Sequence, residues 1–221
     1  MERKSPAIAG SLKDYWWLIG PEGRAWLARV GQMQTEVREP LRIAARLRKE
    51  LVAEQVRLLL EQTELRRRAV EKFPHGEEMF FTRQGLEQAT DFWVAGYKAE
   101  RIRRSISTDG GAIDFCCGIG GDLMALAVGG PVRGMERDPI VALLAKANLE
   151  SLGPGGDVVA ASVEETVAAG MNDVTAWHID PDRRPAGGRT TRVELHEPGP
   201  EVLRKLLDAC SSGAIKLAPA A

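Results

Sequence analysis

Beyond residue 110 the chain alternates short apolar runs with helical ones, and this alternation limits the fold more than any other feature. Ala112 to Phe115, Val132 to Glu136, Asp157 to Ala161, Val174 to Asp180 and Ala214 to Leu217 read as strands. Asp122 to Val128, Pro139 to Leu149, Val163 to Ala168 and Glu201 to Ala209 read as helices between them. A strand that must reach its neighbour through a helix pairs in parallel, and a parallel sheet needs helices covering its faces. The expected class is therefore α/β.

The first hundred residues read differently. Pro21 and Pro40 each stand where a helix's first turn tolerates proline. Leu51, Val52, Val56, Leu59, Leu60 and Leu65 recur at helical spacing, and the pattern stops before Pro74 and Gly76. A further helical stretch is expected through Leu86, Phe92, Val94, Tyr97 and Ile102. The composition changes at Thr108-Asp109-Gly110-Gly111. Two domains follow as an expectation: a helical N-terminal domain over 1–105 and a sheet domain over 106–221. Net charge agrees with that division, at +5 for 1–105 and −6 for 106–221. Trp16, Trp17, Trp26, Trp93 and the phenylalanines are expected in the core of the helical part. Arg66-Arg67-Arg68 reads as a solvated face, able with Arg101, Arg103 and Arg104 to form a basic rim.

Composition excludes several classes. With 44% hydrophobic and 28% charged residues, the chain is neither disordered nor fibrous. No apolar run approaches the roughly 20 residues of a membrane span, and no signal-peptide core is visible at the N-terminus. Three cysteines, two of them adjacent, give no disulfide framework. A cytoplasmic protein without membrane contact is expected. His178, Asp180 and His196 make a poor metal trio, since His196 lies across a loop, and no metal is expected.

The chemistry concentrates in Asp114-Phe115-Cys116-Cys117-Gly118-Ile119-Gly120-Gly121-Asp122, where a strand enters a glycine turn and then a helix. Gly118, Gly120 and Gly121 allow positive φ and close approach of a ligand to the backbone. In an open α/β sheet such a turn lies at the carboxyl ends of the strands, where ligands bind. Glu136 ends the next strand, sixteen residues past Gly120, where a carboxylate can accept both hydroxyls of a ribose. A nucleoside-containing cofactor follows. The dinucleotide pattern lacks its last glycine, because Leu123 stands there, and Asp122 would meet a pyrophosphate with negative charge. S-adenosylmethionine carries no phosphate and is cationic, so Asp114 and Asp122 would attract it. A nicotinamide oxidoreductase is the competing reading from the same turn.

The glycine run resembles motif I of class I S-adenosylmethionine-dependent methyltransferases. It is similar in particular to the trimethylguanosine synthase (RNA cap guanine-N2 methyltransferase) group and to bacterial relatives with a THUMP-like tail. Glu136-Arg137-Asp138-Pro139 matches the "acid, x, Asp-Pro" of the second strand, and Leu143 to Asn148 the helix that follows. Asp180-Pro181-Asp182-Arg183-Arg184 stands at the fourth motif, and Phe80 to Thr90 looks like the segment ahead of motif I. The resemblance implies a Rossmann-like sheet. It implies that Asp114, Gly118 and Gly120 hold the methionine part, Glu136 the ribose, and that Ala161 or Ser162 lies near the adenine, with Cys116, Gly121, Asp122 and Arg137 also at the cofactor. Phe81, Thr82, Gln88 and Thr90 would close over the cofactor. Asp180, Pro181, Asp182 and Arg183 would face the acceptor and carry catalysis, which rests on proximity and orientation.

The chain departs from the family in two places. The cap-modifying enzymes place an aromatic at the fourth motif, and Asp180-Pro181-Asp182-Arg183 has none. The family sheet has seven strands, and five are counted, so either the form is truncated or a partner chain completes the edge. The expected function is methyl transfer to RNA or another nucleic-acid base. The alternatives are a non-catalytic cofactor-binding module and a methyltransferase of a small molecule or protein.

Overall fold

The computed structural model describes residues 8, 10–36, 40–104, 111–152, 155–171, 174–182 and 190–217. Its helices are α1 (Leu12–Ile19), α2 (Pro21–Glu36), α3 (Pro40–Leu47), α4 (Ala53–Ala69), α5 (Arg83–Gln88), α6 (Phe92–Arg103), α7 (Gly121–Ala127), α8 (Pro139–Leu152), α9 (Val163–Ala169) and α10 (Pro200–Ala209). The strands are β1 (Gly111–Phe115), β2 (Val132–Glu136), β3 (Asp157–Ala160), β4 (Val174–Ile179) and β5 (Gly213–Ile215). All pair in parallel, in the order β3-β2-β1-β4-β5. Each strand expected from the sequence is present, with ends shifted by one or two residues.

This order places the topological switch between β1 and β4. The chain winds outward from β1 through β2 to β3, then crosses to the other side for β4 and β5. The carboxyl ends of β1 and β4 therefore flank a crevice, the usual ligand position in such sheets.

Alternation along the strands builds two apolar layers. Ile113, Phe115, Met135, Trp177 and Ile179 bury against Val163 of α9 and Leu203 and Leu206 of α10. On the opposite face Ala112, Val132, Val158 and Ala176 bury with α6, α7 and α8. α6 thus covers the sheet although it precedes residue 105. Helices α1 to α4 form a further layer that shares one core with Leu143, Leu144 and Ala147 of α8.

Three sequence expectations change in the helical part. The stretch from Leu86 to Ile102 is two helices, separated where Asp91 caps α6 by accepting from the Trp93 amide at 2.9 Å. Trp16 and Trp93 do not join the core; Trp93 is 77% exposed, and Phe92 is also exposed. The arginine run does not form one solvated face either. Arg66 turns inward, donates to the carbonyls of Met79 and Glu78, and lies 4.7 Å from the Phe80 ring centroid. Burial lowers its pKa to about 10. Arg67 pairs with Glu64. Among the described residues no helix is long and apolar enough to cross a membrane.

Candidate functional site

A cavity of about 1260 Å³ opens at the carboxyl ends of the strands and is roofed by α4 and α5. That is above the roughly 300–1,000 Å³ of an ordinary small-molecule site, so there is room for a cofactor and part of a second molecule.

Its floor begins at the β1 turn. Cys116 and Gly118 both have φ of 55°, and Gly120, at φ 90°, starts α7. Cys116 holds a conformation that costs a non-glycine residue about 1–2 kcal/mol. A Cβ on Gly118 would meet nothing within 4 Å. The glycine is therefore not required by packing, and its face looks into the cavity. Burial pushes the Cys116 and Cys117 thiols far above their ordinary range. Neither is a nucleophile near neutral pH.

Glu136 is tied into this turn. Its Oε2 accepts from the Gly118 amide at 3.1 Å and its Oε1 from the Asp138 amide at 3.0 Å. Each oxygen keeps a second lone pair for a hydroxyl donor. Burial raises the Glu136 pKa, against the pull of those two amides. Asp138 caps α8 through the amides of Ile140 and Val141. The acid-x-Asp-Pro sequence thus splits into one residue that faces the cavity and one that starts a helix.

Strand register makes the next feature. Asp114 and His178 are direct partners on β1 and β4, and their side chains meet at 2.6 Å, Oδ1 to Nδ1. Asp114 is 1% exposed. Burial raises its pKa and opposes charging of His178, but the carboxylates of Asp114 and Asp122 together hold the imidazole above its ordinary value. The other oxygen, Asp114 Oδ2, is buried with no hydrogen-bond partner among the described residues. Such an orphan costs about 1–3 kcal/mol unless something donates to it.

A polar chain continues from this pair. Lys98 on α6 places Nζ 2.6 Å from Asp122 Oδ1 and 3.3 Å from His178 Nε2. Burial alone would raise Asp122, but His178 and Lys98 bring its pKa below the ordinary value. Thr90 donates to Asp122 Oδ2 at 2.7 Å and accepts from Lys216 at 3.2 Å. Lys216, just past β5, also holds Asp180 Oδ2. Thr90, Asp114, Asp122, His178, Asp180 and Lys216 all border the cavity. Asp114 and Asp122 were expected to attract a cationic cofactor, but Lys98 already balances Asp122, as Lys216 balances Asp180.

The remaining expected residues fall as follows. Thr82, Gln88, Arg137, Ala161, Ser162, Pro181, Asp182 and Gly121 border the cavity. Thr82 and Ser162 also cap α5 and α9 through the amides of Gly85 and Glu165, and Arg137 pairs with Glu197. Antiparallel backbone hydrogen bonds to Glu197 hold Asp182 in place. Phe81 is buried in an apolar cluster with Phe73 and Ile119 rather than bordering the cavity, and Gly120 shapes the turn from behind. Arg183 lies outside the described residues.

Two buried amides hold the segment ahead of the glycine turn: Asn148, which ends the Leu143 to Asn148 match, and Gln62, which the sequence did not mark out. Asn148 of α8 accepts from the Phe80 amide at 2.7 Å and donates to the carbonyls of Phe80 and Ile119 at 3.0 and 2.9 Å. Gln62 of α4 grips Phe81 in the same way, accepting from its amide and donating to its carbonyl. Together they fix the Phe80–Thr82 segment against the glycine turn. Glutamine in a helix is common, so Gln62 left no signal; Asn148, a turn-former inside a helical run, was the one clue.

Residues 11–69, which span α1 to α4, match a family model described as a domain of unknown function (DUF8688). No curated protein matches the chain. A Porphyromonas gingivalis W83 protein assigned as a methyltransferase superposes with a TM-score of 0.59 at 23% identity, over 73% of this chain and 41% of its own. A Pyrococcus horikoshii protein assigned as an RNA methyltransferase gives 0.45 at 16% identity, over 66% of this chain and 69% of its own. Pyrococcus abyssi tRNA (uracil-54, C5)-methyltransferase, solved with S-adenosyl-L-homocysteine, gives 0.40 at 18%, over 61% and 29%. The chain spans about two fifths of the P. gingivalis protein's length. The likeness to the P. gingivalis protein establishes the fold alone: a Rossmann-like parallel sheet covered by helices, with a helical N-terminal region.

Proposed function

We propose that the chain binds S-adenosylmethionine in this cavity and transfers its methyl group to a nucleic-acid base held beside Asp180. The observation that carries the reading is Asp114 Oδ2, a buried acceptor with no hydrogen-bond partner among the described residues, on a residue that borders the cavity together with Gly118 and Glu136. An ammonium group satisfies that oxygen, and Glu136 retains lone pairs for two ribose hydroxyls. A pyrophosphate at the glycine turn would meet the buried Asp114 with like charge. The residues present thus fit a cationic nucleoside.

When bound, this cofactor supplies a methyl carbon made electrophilic by a sulfonium. The protein's part is then orientation. Asp114, fixed by His178, takes the amino group; the Gly118 backbone allows close approach; Glu136 fixes the ribose; Ala161 and Ser162 border the adenine end. Asp180 and Asp182, held by Lys216 and Glu197, place the acceptor.

Calorimetry with S-adenosylhomocysteine tests the reading. Binding by the wild type is expected, weakened about tenfold or more in Asp114→Asn, which removes the anionic acceptor. No heat with the wild type at high micromolar ligand would sink it. Labelled-methyl incorporation into total RNA then tests catalysis: binding without incorporation would leave a cofactor-binding module.

A further inference from the structure

Helix α6 carries two chemistries on adjoining edges. Ala95, Ala99 and Ile102 are buried, and Lys98 reaches Asp122 and His178. Beside that edge Trp93 is 77% and Tyr97 60% exposed, and Phe92 and Val94 are exposed as well. Trp93, Tyr97 and Arg101 recur every fourth residue, so they form one stripe with about 6 Å of rise between successive members. At about 100° per residue, Val94 and Arg101 stand between Trp93 and Lys98 around the helix. The stripe thus approaches the edge that reaches the site through Arg101, about 60° from Lys98, with Tyr97 and Trp93 successively further around. It also starts at the site, because α6 begins two residues past Thr90, which borders the cavity beside Lys216 and Asp180.

Scattered exposed apolar residues are normal, but four large ones within six positions mark an interaction surface. Their chemistry narrows the partner. Phe92 packs edge-on against Trp93 at 5.3 Å, which orients the indole. The Arg101 guanidinium lies 5.8 Å from the Tyr97 ring centroid and donates to the Tyr97 hydroxyl at 3.4 Å. Exposed aromatic rings beside a guanidinium suit unstacked bases and phosphates. The +5 charge of residues 1–105 agrees in sign.

We propose that this stripe of α6 docks single-stranded nucleic acid, with bases stacked on Trp93 and Tyr97 and Arg101 against a phosphate, leading one nucleotide toward Asp180. The proposal deepens the methyltransferase reading and rests on it for the destination of the strand. It also supplies, from another element, the aromatic surface missing at the fourth motif.

The test is fluorescence anisotropy with labelled oligo(rU) and oligo(dT), each about 15 nucleotides long, within the range that single-strand-binding folds cover. The proteins are the wild type, Trp93→Ala/Tyr97→Ala and Arg101→Gln, with S-adenosylhomocysteine calorimetry run on each. Both ring side chains are exposed, so an unchanged melting temperature confirms that the double variant folds. The double variant is expected to bind oligonucleotide at least tenfold more weakly with cofactor affinity unchanged, and Arg101→Gln to flatten the salt dependence. A preference between the two probes tells RNA from DNA. Equal binding by the double variant overturns the proposal, as does a wild type that binds cofactor but neither probe. Sedimentation showing a wild-type dimer that the double variant dissolves reassigns the stripe to a second copy and also overturns it. Oligonucleotide binding without cofactor binding leaves the stripe standing and removes the methyltransferase reading.

Discussion

Asn148→Ala is the sharpest test of how the helical layer shapes the site. The side chain is fully buried and makes three hydrogen bonds, two to Phe80 and one to Ile119 in the glycine turn. Truncation leaves the Phe80 amide, the Phe80 carbonyl and the Ile119 carbonyl without this partner, at about 1–3 kcal/mol for each group that stays unsatisfied. Allowing for incomplete additivity, the loss is about 3–5 kcal/mol, a large part of a typical domain's stability. For a chain of this length that lowers the melting temperature by about 6–20 °C. Urea unfolding gives the free energy and a thermal melt the temperature. Because Ile119 sits between Gly118 and Gly120, affinity for S-adenosylhomocysteine should fall as well, measured at a temperature where the variant remains folded. A variant within about 1 kcal/mol of the wild type would refute the reasoning, since a solvated Phe80 backbone would lose little.

Two further outcomes follow from the charged groups. Glu136 has a raised pKa, so it takes up a proton at a higher pH than an ordinary glutamate, and its anionic form is the better hydroxyl acceptor. Cofactor affinity measured across pH should therefore fall on acidification sooner than for an unperturbed glutamate; Glu136→Gln should bind about tenfold or more weakly and lose this pH dependence. Lys98→Met leaves Asp122 buried without its ammonium, at a cost of about 3 kcal/mol by urea unfolding. Asp122's lowered pKa contributes stability above its unfolded value that is lost as pH falls. The gap between wild type and variant should accordingly narrow on acidification, and a gap that widens would remove the pair from this role.

The parallel sheet was readable because strand and helix patterns are local. Each strand from Ala112 to Leu217 announced itself by apolar or β-branched runs bounded by glycine or acid, and only its ends shifted. Gly118 and Glu136 were readable for a similar reason, since a turn and the next strand's last residue lie within twenty positions. Trp93 was misread because hydrophobicity alone places tryptophan inside, whereas the face of α6 that meets the sheet is set by Ala95, Ala99 and Ile102. Phe81 was expected at the cofactor and is core, its backbone held by Gln62.

By itself the sequence determined the class of sheet, the glycine turn and the acid that ends β2, because each depends on residues close along the chain. Tertiary structure alone decided which charges face one another. Asp114 meets His178 only through the register of β1 and β4, and Lys98, Thr90, Asp122, Lys216 and Asp180 join only because α6 and α7 begin, and β4 and β5 end, at one crevice. Coulomb energy depends on distance in space, and positions tens of residues apart along the chain carry no mark of their proximity. Asp114 Oδ2, buried without a hydrogen-bond partner among the described residues, likewise became visible only in the folded site.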